Sequence, residues 1–507
     1  MFRKTNIVFT FLMVFAILLS GCGGQPQATS APAPVQPVTQ APNVPPVTQP
    51  TASTAPVTIT WATIAGFYTD WAQQVAKDYE AQTGNTVNIV KMDLPTMYEK
   101  EGLDMVGGTN AYDVITWNVS WKAQWANNGL LLPLDDYVAK SDPAELNFKD
   151  ITPVLLKTGG YWDGKLYGLP YYTYTQGMFY RCDLFEDPSE KAAFQAKYGY
   201  ALDIPKTYDQ MGDIAAFFRR KPGDSLKGQK LTTDFYGVGT MSGRFTNLFD
   251  EVNMIAWGMG GDVLNADGTP GVNQPNYVKA LTYYVDKLVP YAPPGSLTGS
   301  YDFVVGQMNS GLIAMTGPFY LDQWANAVKT ETQIPGSEVC VAPNPSGGRV
   351  WAGAFNIGIE KGTKYPQAAW DFIKYLTGEK AQRAFAIGGG SAIRDSIMTD
   401  KPLYTANRAT MGHFPVVYQI NTWADACWHT YMIDSPQVAN IYEEAPAWLS
   451  AAVTHQSTPQ QAMDGFAGAI TKFCGGKACE LHTDKATLPS PTADCSFNFD
   501  KSLQVRK

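Results

Sequence analysis

The chain has 507 residues with a net charge of −8, and its longest basic run is the three-residue stretch Arg219-Arg220-Lys221. This charge balance argues against nucleic acid as a partner, because surfaces that bind nucleic acid are strongly basic. Charged residues make up only 17% of the chain and aromatic residues 13%, so aromatic side chains are available to line a binding site. The length is enough for two or three domains.

The first residues have the order of an export signal. Arg3 and Lys4 precede an apolar run from residue 7 to 19, and Leu19-Ser20-Gly21-Cys22 follows. That order is typical of a secretory signal peptide, and a cysteine at this position resembles the cleavage box of bacterial lipoproteins. We predict a lipoprotein signal peptide over residues 1–21 and lipidation at Cys22, which would anchor the exported protein to the cell membrane, facing outside or the periplasm. The alternative is an ordinary secreted protein.

Residues 22–56 are predicted to be a disordered tether. From residue 23 onwards they are mostly Pro, Ala, Thr, Gln, Gly, Ser and Val, without a charge or an aromatic ring. Such a composition cannot bury a core and favours a partly extended, flexible segment. The tether would hold the following domain away from the membrane surface.

The body of the chain begins with alternating strand and helix patterns. Strands are expected over residues 57–62, 86–91 and 112–117, with helices after Gly66 and near residues 96–106. This β-α-β-α-β order predicts a parallel sheet covered by helices. Ligands bind beyond the carboxyl ends of such strands, which places residues 65–68 and Trp117-Asn118 at one rim.

A neutral aromatic stretch follows between residues 161 and 185. Asp163-Gly164 has the composition of a two-residue hairpin turn, and Pro170 predicts a strand end or a sheet edge. Tyr171, Tyr172, Tyr174 and Gln176 then form an uncharged run before a second strand. This bend suits an uncharged polar ligand; the alternative is an aromatic hairpin that packs in the core.

Six cysteines follow Cys22, an even number that favours disulfides in an exported protein. Cys474 and Cys479 flank a four-residue turn and are predicted to pair with each other. A zinc site that uses these two residues with His482 and Cys495 is an alternative, but its spacing matches no common zinc finger. We expect no metal and no cofactor.

Several segments together resemble the extracellular solute-binding proteins of bacterial carbohydrate importers of the ATP-binding-cassette (ABC) type. The motifs are Gly164-Lys165-Leu166-Tyr167-Gly168-Leu169-Pro170, Ala256-Trp257-Gly258-Met259-Gly260-Gly261-Asp262, Gly311-Leu312-Ile313-Ala314-Met315 with Gly317-Pro318-Phe319, and Ala369-Trp370-Asp371-Phe372-Ile373. The resemblance implies an α/β, two-lobed, periplasmic-binding-protein-like fold with hinge strands and a ligand cleft between the lobes. It places that domain at residues 57–475, with discontinuous lobes that cross over near residues 170–185, followed by an irregular tail over residues 476–507.

Sugar binding requires aromatic faces and paired hydrogen-bonding groups. Candidate stacking rings are Tyr68, Trp117, Tyr172, Trp257, Phe319 and Trp351, and candidate polar groups are Asn118, Tyr174, Asp302 and Arg394. The resemblance adds Tyr301 beside Asp302, and Gly353, where backbone would approach the ligand. For each aromatic residue the alternative is core packing, and for Arg394 it is a salt bridge between the lobes.

No catalytic motif stands out, so we predict a binding protein and not an enzyme. The histidines and the acidic pairs, Glu443-Glu444 among them, are expected at structural or solvated positions. The resemblance implies a monomeric receptor that captures a sugar or oligosaccharide by lobe closure and delivers it to the transmembrane subunits of an ABC permease. The alternatives are a non-sugar solute, such as ferric iron held by Tyr171, Tyr172 and Tyr174, or a secreted glycoside hydrolase.

Overall fold

The computed structural model describes residues 55–347, 349–427, 432–482 and 497–507. The predicted signal peptide, Cys22, nearly all of the predicted tether and Cys495 lie outside the described residues, as do the side chains of residues 67–69, Tyr68 among them. The fold is mixed α/β with two lobes, as the sequence predicted.

Fourteen strands are present in the described part of the chain. They are β1 Thr58–Ile64, β2 Thr86–Met92, β3 Val114–Asn118, β4 Tyr161–Trp162, β5 Lys165–Leu166, β6 Gly168–Thr173, β7 Gln176–Arg181, β8 Ser225–Leu226, β9 Gln229–Lys230, β10 Tyr236–Gly239, β11 Ile313–Thr316, β12 Phe319–Tyr320, β13 Val339–Ala342 and β14 Ala354–Ile359.

The same residues form 22 α-helices, several of them single turns. They are α1 Phe67–Thr83, α2 Leu94–Gly107, α3 Val119–Asn127, α4 Asp135–Lys140, α5 Pro143–Leu146, α6 Pro153–Gly159, α7 Cys182–Phe185, α8 Pro188–Tyr198, α9 Tyr208–Phe218, α10 Thr246–Gly258, α11 Pro275–Tyr283, α12 Tyr301–Asn309, α13 Trp324–Ala327, α14 Thr330–Gln333, α15 Pro366–Thr377, α16 Glu379–Ile387, α17 Asp395–Met398, α18 Lys401–Ala406, α19 Arg408–Met411, α20 Phe414–Cys427, α21 Val438–Val453 and α22 Pro459–Phe473. No helix of the described chain has the length and apolar character that crossing a membrane requires.

The first lobe is built on a five-stranded sheet in the order β2-β1-β3-β14-β6. Strand β1 pairs in parallel with both β2 and β3, as the β-α-β-α-β pattern predicted. Strand β14 returns from a distant part of the chain and pairs antiparallel with β3 and β6. Strand β6 therefore lies at the edge, where Pro170, which lacks an amide donor, is tolerated.

The second lobe is built on a smaller sheet in the order β10-β11-β7-β12, with β13 also paired to β7. Strands β10 and β11 are parallel, whereas β11, β12 and β13 run antiparallel to β7. The disulfide Cys182–Cys340 joins the end of β7 to β13 across a sequence separation of 158 residues. This covalent link closes a long loop and thereby restricts the unfolded chain.

Two chain segments pass between the lobes side by side. Tyr174-Thr175 connects β6 to β7, and residues 349–353 lead back into β14. They are hydrogen-bonded to each other, because the Tyr174 amide donates to the Gly353 carbonyl at 3.0 Å and the Gln176 amide donates to the Trp351 carbonyl at 3.1 Å. This pair of crossing segments forms the hinge between the two sheets.

Short-range signals in the sequence set several element ends. Asp163 and Gly164 both have positive φ, 49° and 75°, and form the predicted turn between β4 and β5. Gly84 ends α1 with φ 77°, and the Thr207 hydroxyl accepts the Gln210 amide at 3.2 Å at the start of α9. These positions require only local geometry, which is why sequence reasoning finds them.

The C-terminal part of the chain packs against both lobes. Helix α21 contacts α3 of the first lobe and α10 of the second. The Cys474–Cys479 disulfide is present after α22, and Cys427 is also disulfide-bonded. Residues 497–507 contain little regular structure, but Gln504 donates to the Tyr180 hydroxyl at 2.6 Å and Arg506 pairs with Glu186 and Glu338, both at 2.7 Å.

Candidate ligand-binding cleft

A cavity of about 510 Å³ lies between the two lobes, directly in front of the hinge. This volume is within the range of roughly 300–1,000 Å³ that small-molecule sites occupy. Its walls come from the first sheet, from the N-terminal turns of α10 and α12, from the segment after β12, and from the middle of α21. A ligand held here would touch both lobes at once.

The first-lobe wall follows the carboxyl ends of the parallel strands, as predicted. Ile64 ends β1, and Asn118 ends β3, where its side-chain oxygen accepts the Ser120 amide at 3.1 Å and so caps α3. Tyr172 of β6 stacks on Phe355 of β14, with ring centroids 5.7 Å apart and planes 13° apart. Trp121 of α3 adds an indole nitrogen with no hydrogen-bond partner among the described residues.

The second-lobe wall is a hydrogen-bonded cluster centred on Asp250 of α10. One oxygen, Oδ2, accepts from the hydroxyls of Tyr320 at 2.5 Å and Tyr442 at 2.8 Å. Asn247, one helical turn earlier, donates to the Tyr320 hydroxyl at 2.8 Å. The network joins α10, β12 and α21, so it fixes the positions of four polar side chains in the cavity wall.

The Asp250 carboxyl group is only 2% exposed, and its Oδ1 has no hydrogen-bond partner in the described part of the chain. Burial raises the pKa of this group from 3.8 to about 7, although the hydrogen bonds from Tyr320 and Tyr442 oppose the shift. A buried acceptor without a partner costs free energy unless a ligand or water supplies a donor. The position of Asp250 in the cavity wall makes it available to a bound solute.

The hinge side of the cavity connects the lobes through another tyrosine. The Tyr172 hydroxyl donates to the Asp322 carboxylate, which follows β12 in the second lobe. Gln323 donates to the same carboxylate at 3.0 Å. At the open side, Phe245 and Tyr301 form an aromatic rim, and Arg244 is exposed beside them.

The structure brings four of the sequence-predicted residues to the cavity wall: Asn118, Tyr172, Tyr174 and Tyr301. It places the predicted stacking residues Trp257 and Trp351 elsewhere. Trp351 stacks between Trp257, at 5.8 Å, and Tyr442, at 6.3 Å, with planes 16° apart in both pairs. Both tryptophans are buried behind Tyr442, the member of this stack that lines the cavity.

Trp117 and Phe319 are also core residues and do not line the cavity. The Trp117 ring lies against Gly168 and Gly358, where any added Cβ would overlap it, and its indole donates to the Gly159 carbonyl at 3.2 Å. Phe319 packs against Phe179 of the neighbouring strand. A ring on a strand that is covered on both faces packs in the core, even when the end of that strand lies at the cavity.

The three remaining predicted polar or backbone sites do not line the cavity. Arg394 is 2% exposed, and its guanidinium donates to the Thr377 carbonyl at 2.9 Å and pairs with Asp150 at 3.4 Å. Asp302 is exposed in the first turn of α12 and lies outside the cavity wall. Gly353 is needed because a Cβ there would lie 2.0 Å from a ring carbon of Tyr174.

The tyrosines weighed as ferric ligands do not converge on one point. The Tyr171 hydroxyl lies 3.1 Å from that of Thr63 inside the first lobe, while the Tyr172 hydroxyl points to Asp322. Among the described residues, one cluster, formed by Cys182, Glu338 and Cys340, has metal-ligand spacing. Its two cysteines are bonded to each other.

Sequence reasoning missed the acidic character of the cavity. Among the described lining residues, five are acidic and one, Arg244, is basic; the acidic residues are Asp93, Asp250, Asp322, Glu443 and Glu444. Glu443 and Glu444 were expected at a solvated helix end. Glu443 is exposed, as expected, but both residues lie in the middle of α21 and line the cavity. The sequence feature that could have indicated an acidic site is Asp250-Glu251, an acidic pair inside a largely apolar helix.

This fold and cleft define a two-lobed binding protein, and residues 67–383 match the model of the family described as bacterial extracellular solute-binding protein. The chain belongs to this family of binding proteins. A putative binding protein of Brucella abortus (strain 2308) is 25% identical over 316 residues, which cover 60% of this chain and 67% of the relative.

Two solved structures have the same fold as this chain. A solute-binding protein of Agrobacterium radiobacter K84 in complex with ribitol has a TM-score of 0.67 and 25% identity, covering 82% of this chain and 98% of that one. The maltose-bound MalE3 protein of T. maritima has a TM-score of 0.64 and 21% identity, covering 82% and 99%.

Proposed function

We propose that this protein is the receptor of an ABC importer and that it captures a sugar or a sugar-derived polyol in the cleft between its lobes. The observation that carries the proposal is that both lobes contribute side chains to one cavity, and that these include aromatic rings and hydrogen-bonding groups. Stacked aromatic rings, such as Tyr172 on Phe355, stand beside hydroxyl, amide and carboxylate groups. Flat apolar faces beside paired hydrogen-bonding groups match the two kinds of surface that a pyranose or polyol presents.

Capture depends on closure about the hinge. A solute that touches Asn118 on the first lobe and Asp250 on the second forms all its contacts only when the lobes are close together. Ligand binding therefore shifts the population towards the closed form, without a need for any new contact within the protein. The two crossing segments near Tyr174 and Gly353 are the places where the backbone bends.

The proposed receptor role also implies an oligomeric state, a partner and a location for the protein. The closed protein is a monomer that docks on the transmembrane permease subunits and releases its solute unaltered, without catalysis. Lipid on Cys22 holds it at the membrane, and residues 22–56 act as the tether. The ribitol and maltose complexes of similar proteins support a polyhydroxylated ligand.

Calorimetry of the purified full-length protein against a panel of mono-, di- and trisaccharides and polyols tests the proposal. Tyr301→Ala is the informative variant, because Tyr301 lines the rim and is 39% exposed, so its removal leaves the core intact. A ring contact is worth about 0.5–1.5 kcal/mol, so affinity should fall roughly two- to tenfold. Tyr365→Ala is the matched control, since Tyr365 is 41% exposed outside the cavity wall.

Absence of binding across the whole panel would overturn the sugar assignment. Chromatography that detects a new product from any panel compound would favour the hydrolase alternative. Replacement of Cys22 by serine should move the protein from the membrane fraction to the soluble fraction.

A further inference from the structure

The charges of the cleft carry information about the solute that the fold alone does not. Five acidic residues line the described cavity wall, whereas its single basic residue, Arg244, is exposed at the rim. We infer that the preferred ligand carries a protonated amine, as an amino-substituted sugar or polyol does, and that Asp250 is its anchor. This inference rests on the proposed function and narrows its substrate class.

The geometry around Asp250 provides the main support. Its Oδ2 is already satisfied by Tyr320 and Tyr442, while Oδ1 is buried in the cavity wall with no partner among the described groups. An ammonium group supplies both the missing donor and the missing positive charge. A hydroxyl group supplies only the donor, and hydrogen bonds between ionised partners are roughly twice as strong as neutral ones.

Within the part of the chain that the structure describes, no lysine or arginine forms an ion pair with this carboxyl group. The titratable groups that face it are Tyr174, Tyr277, Tyr320, Tyr442 and Glu443, from the hinge, α11, β12 and α21. Burial raises the pKa of each of these tyrosines, so they remain neutral at physiological pH. Glu443 likewise forms no ion pair with a lysine or arginine of the described residues.

The neighbouring Glu443 strengthens the same preference. It follows Tyr442 on α21, lines the cavity, and its pKa is raised by desolvation. Glu443 is exposed, but its charge on the helix that packs against α10 raises the pKa of the buried Asp250 further, because two ionised carboxyl groups repel each other. A cation between α10 and α21 removes this repulsion, whereas a neutral solute leaves it in place.

Binding of an amine should therefore displace protons from the wall. Burial raises the pKa of Asp250 to about 7, so this carboxyl group is partly protonated near neutral pH. An ammonium beside it favours the ionised form, so binding of an amine should release protons near neutral pH. A neutral sugar provides no such driving force.

The test compares neutral compounds with their amino derivatives on the full-length protein by calorimetry at pH 7. Suitable pairs are glucose and glucosamine, mannose and mannosamine, galactose and galactosamine, and sorbitol and 1-amino-1-deoxysorbitol. At least one amine should bind about tenfold or more tightly than its neutral partner. Its apparent binding enthalpy should also change between buffers of different ionisation enthalpy, which reports the released proton.

Two variants link the preference to the proposed residue. Asp250→Asn should reduce the affinity ratio of amine to neutral partner to near one. Glu251→Gln is the matched control, because Glu251 is the next residue of α10, is equally buried, and bonds Tyr284 and Met241 outside the cavity wall. Its ratio should equal that of the parent; if Asp250→Asn unfolds, Glu443→Gln should lower the ratio instead.

The outcomes separate this inference from the function on which it rests. Neutral compounds that bind as tightly as their amines, or more tightly, would overturn the cationic ligand and leave the sugar receptor standing. Failure of every compound of both kinds to bind would overturn the receptor proposal, and the inference with it.

Discussion

Replacing Asp250 by asparagine should change how the stability of the protein depends on pH. Burial raises the pKa of Asp250 from 3.8 to about 7, so the folded protein binds this proton more tightly than the unfolded chain. The stability due to this proton is fully present below pH 3.8 and is lost as the pH rises through 7. Between pH 5 and pH 8 the loss amounts to about 3 kcal/mol of the free energy of unfolding.

Asparagine retains an acceptor for the Tyr320 and Tyr442 hydroxyls but does not titrate. The decrease in the free energy of unfolding between pH 5 and pH 8 should therefore be about 3 kcal/mol smaller in Asp250→Asn than in the parent. Urea unfolding at the two pH values, followed by circular dichroism, measures the difference. Asp302→Asn, at an exposed site outside the cavity, is the control. An equal pH dependence in parent and Asp250→Asn would refute the account of this group.

Three further variants test other parts of the structure. Replacing both Cys182 and Cys340 by serine removes a link across 158 residues, and urea unfolding should show a loss of about 5 kcal/mol; unchanged stability would mean that the link does not form. Gly353→Ala should displace the Tyr174 ring, costing about 1–3 kcal/mol and weakening ligand binding by calorimetry; unaltered affinity would separate Tyr174 from the site. Arg394→Ala should lower the melting temperature, because the carbonyls of Leu146 and Thr377 lose their donor, while the folded fraction binds ligand normally; a loss of affinity at equal folding would restore Arg394 to the site.

The sequence was sufficient for the features that depend on local pattern. Alternating apolar residues and Gly84 define the first β-α-β unit, and the end of the next parallel strand, β3, places Asn118 at the cavity. The aromatic stretch after Pro170 contributes Tyr172 and Tyr174 to the wall and also packs in the core, so the two interpretations of that stretch each describe part of it.

The remaining wall depends on contacts between distant parts of the chain. Trp257 and Trp351 are residue types that stack on sugars, but they are buried here: Trp257 stacks on Trp351, and Trp351 stacks on Tyr442 from a helix far along the chain. Glu443 is exposed, as its own segment suggested, but nothing in that segment shows that α21 contacts both lobes and so brings Glu443 to the cavity. Asp250 can be identified as a site residue only from its hydrogen bonds with Tyr320 and Tyr442. These residues are far apart in the sequence, so no sequence spacing predicts the contact.

A crystal structure with the tightest-binding compound of the carbohydrate and amine panel is the most direct test of the interlobe site. The ligand should contact Tyr172 on one side and Asp250 and Tyr442 on the other, with the hinge at Tyr174 more closed than in the unbound protein. Ligand found instead in the surface groove beside Tyr404, Tyr418 and Trp423, with the cleft between the lobes empty, would contradict the account.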